Sequence, residues 1–181
     1  LRELMKLDQK YPSYEKVAAR VIGNDGGNWF STFLIDKGEK DGIEKDMNVI
    51  AGSGLVGIVI DTGPNYAKVR SIIDDASNVS GMALSTADRC IVNGNLVSMN
   101  EQRVIGFSDL KCDEDTVKTG EQIVTSHISD KYLEGILIGY VNTIERNSNN
   151  LTYSGTIIPA VDFQHLQEVL VIKDKKKTPA D

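Results

Sequence analysis

From Val17 onward the apolar residues of this chain recur at every second position, in short runs cut by turn residues. That period constrains the fold more than any other feature. Trp29, Ser31, Phe33 and Ile35 alternate with Phe30, Thr32, Leu34 and Asp36. Comparable runs occupy 17–22, 48–51, 55–61, 67–73, 79–84, 90–92, 103–107, 122–126, 136–144, 153–161 and 168–172. Clusters of Gly, Asn, Asp and Ser separate them at about the 8–12-residue spacing of a sandwich or barrel. Only Phe163–Glu168 reads as another short helix or turn, so the expected class is all-β.

Ahead of this pattern, Leu1, Leu4, Leu7 and Tyr11 recur at helical steps among charges, and Pro12 stops the helix. A helix this short is not stable alone. It either packs on the domain or ends a longer coiled coil, with Leu1, Leu4, Leu7 and Tyr11 as its dimerisation face. The chain opens on Leu1 rather than Met, so it is expected to be a soluble piece of a longer protein whose N-terminal part carries any anchor. No apolar stretch approaches the roughly 20 residues that cross a bilayer. A net charge of -6 argues against nucleic acid as the main partner. The Lys-rich end, Lys173–Lys177, reads as a solvated tail, with 174–181 disordered.

Two stretches look like copies of one hairpin. IEKDMNVIA (Ile43–Ala51) aligns with VKTGEQIVT (Val117–Thr125), and each continues, after connections of different length, as GLVGIVI (Gly54–Ile60) or GILIGYV (Gly135–Val141). This supports two related small barrels rather than one large one. The expected division is a helix and linker over 1–16, a first barrel over 17–75 and a second over 76–173. The strand count is lopsided, which leaves a C-terminal strand to return to the first barrel. Gly54, Gly57, Gly135 and Gly139 are then hairpin glycines that allow tight turns and close backbone approach.

Candidates for chemistry fail one by one. Gly52, Gly54 and Gly57 fit G-x-G-x-x-G, with Asp74-Asp75 placed like a ribose-binding carboxylate. A dinucleotide site needs a helix directly after the third glycine, and Ile58-Val59-Ile60 followed by Gly63-Pro64-Asn65 cannot supply one. A serine hydrolase on a double barrel would draw on Ser126, His127 and His165, but no nucleophile-presenting motif occurs. Two isolated histidines, Cys90 and Cys112 give no metal-ligand spacing, and Asp113-Glu114-Asp115 lacks the pattern of a calcium loop. The cysteines read as two packed or free thiols, with one bridge possible outside the cytoplasm. No catalytic, cofactor-binding or metal residue is assigned. Binding or structural work is the expectation, with a hydrolase or ligand-binding double barrel as the alternative.

The order of motifs resembles the extracytoplasmic part of the rod shape-determining protein MreC family. The resemblance is carried by ARVIGND (Ala19–Asp25), LIDKGEKDGIEKDMNVI (Leu34–Ile50), GLVGIV (Gly54–Val59), VRSIIDD (Val69–Asp75), VKTGEQIVTS (Val117–Ser126), GILIGYV (Gly135–Val141) and IIPAVDFQHLQEVLVI (Ile157–Ile172). The chain departs from the family pattern at His127, in place of Gly, and at Tyr132-Leu133-Glu134-Gly135, in place of a Phe-Pro turn. The resemblance implies a single-pass cell-membrane protein with a coiled coil, so that Leu1–Tyr11 is the coil's tail and the molecule a homodimer. It further implies two β-barrels outside the membrane and a scaffold of cell elongation. Its implied partners are MreD, class B penicillin-binding proteins and, through the N-terminal part, MreB. No catalytic residue and no cofactor come with it.

Overall fold

In the computed structural model the residues described are 14–24, 31–52, 54–111, 116–129, 131–149 and 151–173. The expected N-terminal helix with Leu1, Leu4, Leu7 and Tyr11, the residues Trp29, Phe30 and Cys112–Asp115, and the tail after Lys173 lie outside them.

Twelve strands form among these residues: β1 (Lys16–Asn24), β2 (Thr32–Ile35), β3 (Asn48–Ala51), β4 (Gly54–Thr62), β5 (Ala67–Ser71), β6 (Asn78–Ala83), β7 (Arg89–Asn93), β8 (Ile105–Leu110), β9 (Gln122–Thr125), β10 (Leu137–Arg146), β11 (Tyr153–Pro159) and β12 (Glu168–Ile172). All pairings are antiparallel, and the strands close two six-stranded barrels. Closure satisfies every strand edge within the fold, which an open sheet of this length cannot do.

The first barrel runs β1-β12-β3-β4-β5-β2 and back to β1, so its sixth strand comes from the end of the chain. The alternation read from sequence places Phe33, Ile35, Val49, Val59, Val69, Val169 and Val171 in its core, all buried. Turn chemistry closes its loops. Asp41 accepts from the Gly38 N–H at 3.1 Å, and Gly42 adopts φ 83 at the end of the 3-10 turn Glu39–Asp41.

The second barrel runs β10-β11-β8-β7-β6-β9 and back to β10. Its core holds Val79, Ala83, Cys90, Val92, Ile105, Phe107, Ile123, Val141 and Ile157. The division between the two units falls after Ser71; the second takes 72–129 and 133–160, the first the remainder.

The pattern over 90–107 hid a helix, α1 (Leu96–Gln102). The Asn95 side chain caps it by accepting from the Ser98 N–H at 3.0 Å, and Arg103 ends it at φ 60. Arg103 was expected to open a strand; it is a helix cap, and β8 begins two residues later. Phe163–Glu168, by contrast, opens with a turn and runs into β12 without a helix. Asp162 organises it, accepting from the Gln164 N–H and pairing with His165 Nδ1 at 2.9 Å.

Candidate functional site

The two barrels repeat one register. In β3 and β4, Asn48 faces Ile58, Val49 faces Gly57, and a bulge then brings Ile50 opposite Leu55. In β9 and β10, Gln122 faces Tyr140, Ile123 faces Gly139, and the same bulge brings Val124 opposite Leu137. The next pair repeats too: Val59 faces Val69 with a shift to Asp61–Lys68, as Val141 faces Ile157 with a shift to Thr143–Thr156. The turns entering the hairpins match as well. Asp46 (φ 73) donates to the Val59 carbonyl, and Gly120 (φ 89) donates to the Val141 carbonyl. Strand β12 stands where β6 stands in the second barrel. One architecture is therefore built twice from different chain orders.

Two of the glycines singled out in the sequence occupy matched positions. A Cβ on Gly57 would lie 2.0 Å from the Arg70 carbonyl oxygen, and one on Gly139 would lie 2.2 Å from that of Ile158. Both are contacts no side chain survives, at points where neighbouring strand backbones approach closely. Gly135 is glycine for another reason: its φ is 84, and nothing lies within 4 Å of a Cβ there. Gly54 opens β4 opposite Ala51, across a two-residue connection.

The remaining candidate residues have structural work. Gly52–Gly57 is a hairpin, and β4 continues through Thr62 without a helix. Asp75 accepts from the Leu96 N–H at 2.9 Å and Asp74 from the Ala76 N–H at 3.0 Å, so this acidic pair caps α1 and a turn. The Ser126 hydroxyl, fully buried, accepts from the Ile128 N–H at 3.2 Å. His127 beside it is exposed. His165 belongs to the first unit and Ser126 to the second. Cys90 is buried on β7, and burial pushes its thiol up from 9.0 to about 12, far from a nucleophile's range. Among the described residues no group of three His, Cys, Asp or Glu side chains could hold a metal ion.

The Rod shape-determining protein MreC barrel-core model matches residues 21–173, the span that holds the whole second barrel and all of the first but the start of β1. The chain belongs to the MreC family. It is 30% identical over 176 residues to the cell shape-determining protein MreC of Listeria monocytogenes, covering 96% of this chain. It spans 58% of that relative's length. The solved Listeria MreC superposes with a TM-score of 0.80 at 28% identity, over 98% of this chain and 88% of that one. A Helicobacter pylori MreC, solved in complex with the penicillin-binding protein PBP2, superposes with a TM-score of 0.63 over 88% of this chain and all (100%) of that one. At 11% identity that likeness concerns the fold alone.

The segment that departs from the family pattern is held at its base by the Thr125 hydroxyl. Thr125 ends β9, and its Oγ1 donates to the Leu133 carbonyl while accepting from the Ile136 N–H at 2.8 Å. Its backbone joins Ile136 and Gly135. These bonds close the base of the connection that carries His127, whatever its tip does. The sequence signal was the Thr-Ser pair, which was read as a strand end and not as a clasp. Among the described residues no helix is long and apolar enough to cross a membrane.

Proposed function

We propose that this chain is the extracytoplasmic barrel region of a cell-shape scaffold that positions peptidoglycan synthases and performs no catalysis itself. The observation that carries this reading is the family match across both barrels. Its Listeria relative is a cell shape-determining protein, and its Helicobacter relative is held in a complex with a penicillin-binding protein. On this reading the partner is a class B penicillin-binding protein. MreD is a further partner, and membrane anchoring and contact with MreB run through the N-terminal part of the protein. The segment Leu1–Tyr11 continues a coiled coil that pairs two copies through Leu4 and Leu7.

The physical logic is that of a recognition module. Asp41, Asp74, Asp75, Asn95 and Asp162 serve turns and caps, and closed barrels hold surface side chains in fixed positions, which lowers the ordering cost of binding. The test is direct binding of the purified chain to the extracytoplasmic region of the organism's class B penicillin-binding protein, followed by biolayer interferometry. Saturable binding, together with loss of rod shape on depletion of the protein in cells, is the expected result. Absence of binding with rods preserved would remove the reading. Deleting Leu1–Lys10 is expected to weaken self-association in analytical ultracentrifugation while leaving the β circular dichroism unchanged; an unaltered equilibrium would remove the dimer assignment.

A further inference from the structure

The matched barrels part company along one row of outward-facing residues. In the second barrel the row runs from Leu84, just past the end of β6, across β9, β10 and β11 as Gln122, Tyr140 and Ile158. The Leu84 N–H donates to the Gln122 carbonyl at 2.9 Å, Tyr140 faces Gln122, and Ile158 faces Tyr140. Leu84 is 53% exposed, Tyr140 38% and Ile158 47%, and Gln122 is exposed between them. The row carries no charge.

The same register in the first barrel gives Ile172, Asn48, Ile58 and Arg70. Here Ile172, Asn48 and Ile58 are buried, Asn48 to 1%. The Asn48 side-chain amide donates at 3.0 Å to the main-chain carbonyl of Lys131, a residue 83 positions away and part of the same unit. The carboxamide in the middle of the row is thus already used, in one barrel, to hold a main-chain carbonyl from elsewhere in the chain.

We propose that the row Leu84–Gln122–Tyr140–Ile158 is a docking face for an extended, apolar, non-acidic segment of a partner polypeptide. The Gln122 amide donates to one of its main-chain carbonyls, as Asn48 does to Lys131, and Leu84, Tyr140 and Ile158 pack its apolar side chains. The dimensions favour a segment over a second copy. Three inter-strand steps of about 4.8 Å span roughly 14 Å, the length of about four extended residues. A stable dimer buries about 800 Å² on each partner, far more than four side chains present. Charge points the same way against an acidic segment, which would lose hydration here and meet the Glu121 carboxylate that accepts from the Ser85 N–H beside the row at 2.9 Å. The face is defined by the two barrels alone, whether or not a penicillin-binding protein is the synthase partner.

The experiment is site-specific photo-crosslinking of the full-length protein in its own membrane. Benzoylphenylalanine is placed in turn at Leu84, Tyr140 and Ile158, with exposed Val97 of α1 as the control, and adducts are mapped by mass spectrometry. The expected result is one and the same short segment of another polypeptide captured from Tyr140 and Ile158 and not from Val97. In the Tyr140 variant, adding Gln122→Ala should cut adduct yield roughly fivefold, the net worth of one hydrogen bond, with the melting temperature unchanged. Adducts to a second copy of this chain would overturn the occupant. Yields no higher than at Val97 would overturn the docking face. Full yield with Gln122→Ala would overturn the carbonyl anchor.

Discussion

The first barrel and the second reach one register with different residues, and the differences compensate. In the first, β2 places Phe33 and Ile35 in the core; at the matched positions β8 places Ile105 and Phe107, with the large and small side chains exchanged. Likewise Ala19 faces Val169 in the first barrel, while Cys90 faces Gly81 in the second. The bulk sits on one strand of the pair in one barrel and on its neighbour in the other. At these positions bulk moves between neighbouring strands, while Val59 and its match Val141 stay the same buried residue, which is how close packing tolerates divergence. What does not vary is the contact made by Gly57 and Gly139, where both barrels keep glycine.

That contrast sets the largest expected effect. Gly57→Val and Gly139→Val should each destabilise by about 3 kcal/mol or more, because backbone cannot yield as a side chain can. Urea unfolding of each variant should show loss of the altered barrel's transition. Retention of both transitions in either variant would mean the strand crossing is looser than its 2.0 or 2.2 Å approach indicates.

A smaller effect separates the two hairpin connections. Ala51 and Thr125 occupy matched positions, but Ala51 leads into a two-residue turn and Thr125 into a connection that reaches Ile136 before pairing resumes. Only the longer connection needs a side-chain clasp. Thr125→Val keeps the shape, removes the hydroxyl and leaves the Leu133 carbonyl and the Ile136 N–H without this partner, at about 1–3 kcal/mol. Ala51→Ser, with no such groups to serve, should bring no comparable gain. Thermal unfolding of both variants checks the pair, and equal shifts would deny Thr125 its role.

Much of this was legible in the chain because a period of two is a strong signal wherever one face is buried. Leu55–Asp61 and Glu168–Ile172 could be read as strands, and the constant offset between Ile43–Ala51 and Val117–Thr125 exposed the repeat. Helix α1 was not legible, since Met99 is the only buried side chain in its seven residues and so leaves no apolar stripe. The row on the second barrel was hidden for the opposite reason. Leu84, Tyr140 and Ile158 are far apart in sequence and meet only through strand register, so their exposure could not be read from alternation. Gln122 looked like any polar strand residue until Asn48 showed what a carboxamide does there.

The Ala19 and Cys90 positions offer a pH-dependent measure of the same comparison. The Cys90 thiol is raised by burial from 9.0 to about 12. Below pH 9 it is protonated in both folded and unfolded chains and contributes no slope. Above that, the unfolded chain gives up the proton while the folded chain keeps it, so stability falls by about 1.4 kcal/mol per pH unit until the folded thiol ionises. Cys90→Ala, which installs the first barrel's residue, should flatten this part of the curve. The check is the difference in urea midpoint between the two proteins at pH 8, 9.5 and 10.5. Parallel curves would show that the thiol ionises as readily in the fold as outside it.

The smallest effect tests whether the two connections obey the same backbone rule despite their different lengths. Gly52 (φ 59) and Gly135 (φ 84) both have room for a Cβ, so space cannot explain either glycine. What remains is the left-handed backbone, which costs an ordinary residue about 1–2 kcal/mol and asparagine less, because its short amide bonds locally. Gly52→Ala and Gly135→Ala should therefore lose about 1 kcal/mol each, and the corresponding Asn variants roughly half of that. Equal losses for Ala and Asn at Gly135 would assign that glycine to contacts of the connection rather than to its φ. The comparison of melting temperatures across the four variants decides between them, since all four leave the barrel cores untouched.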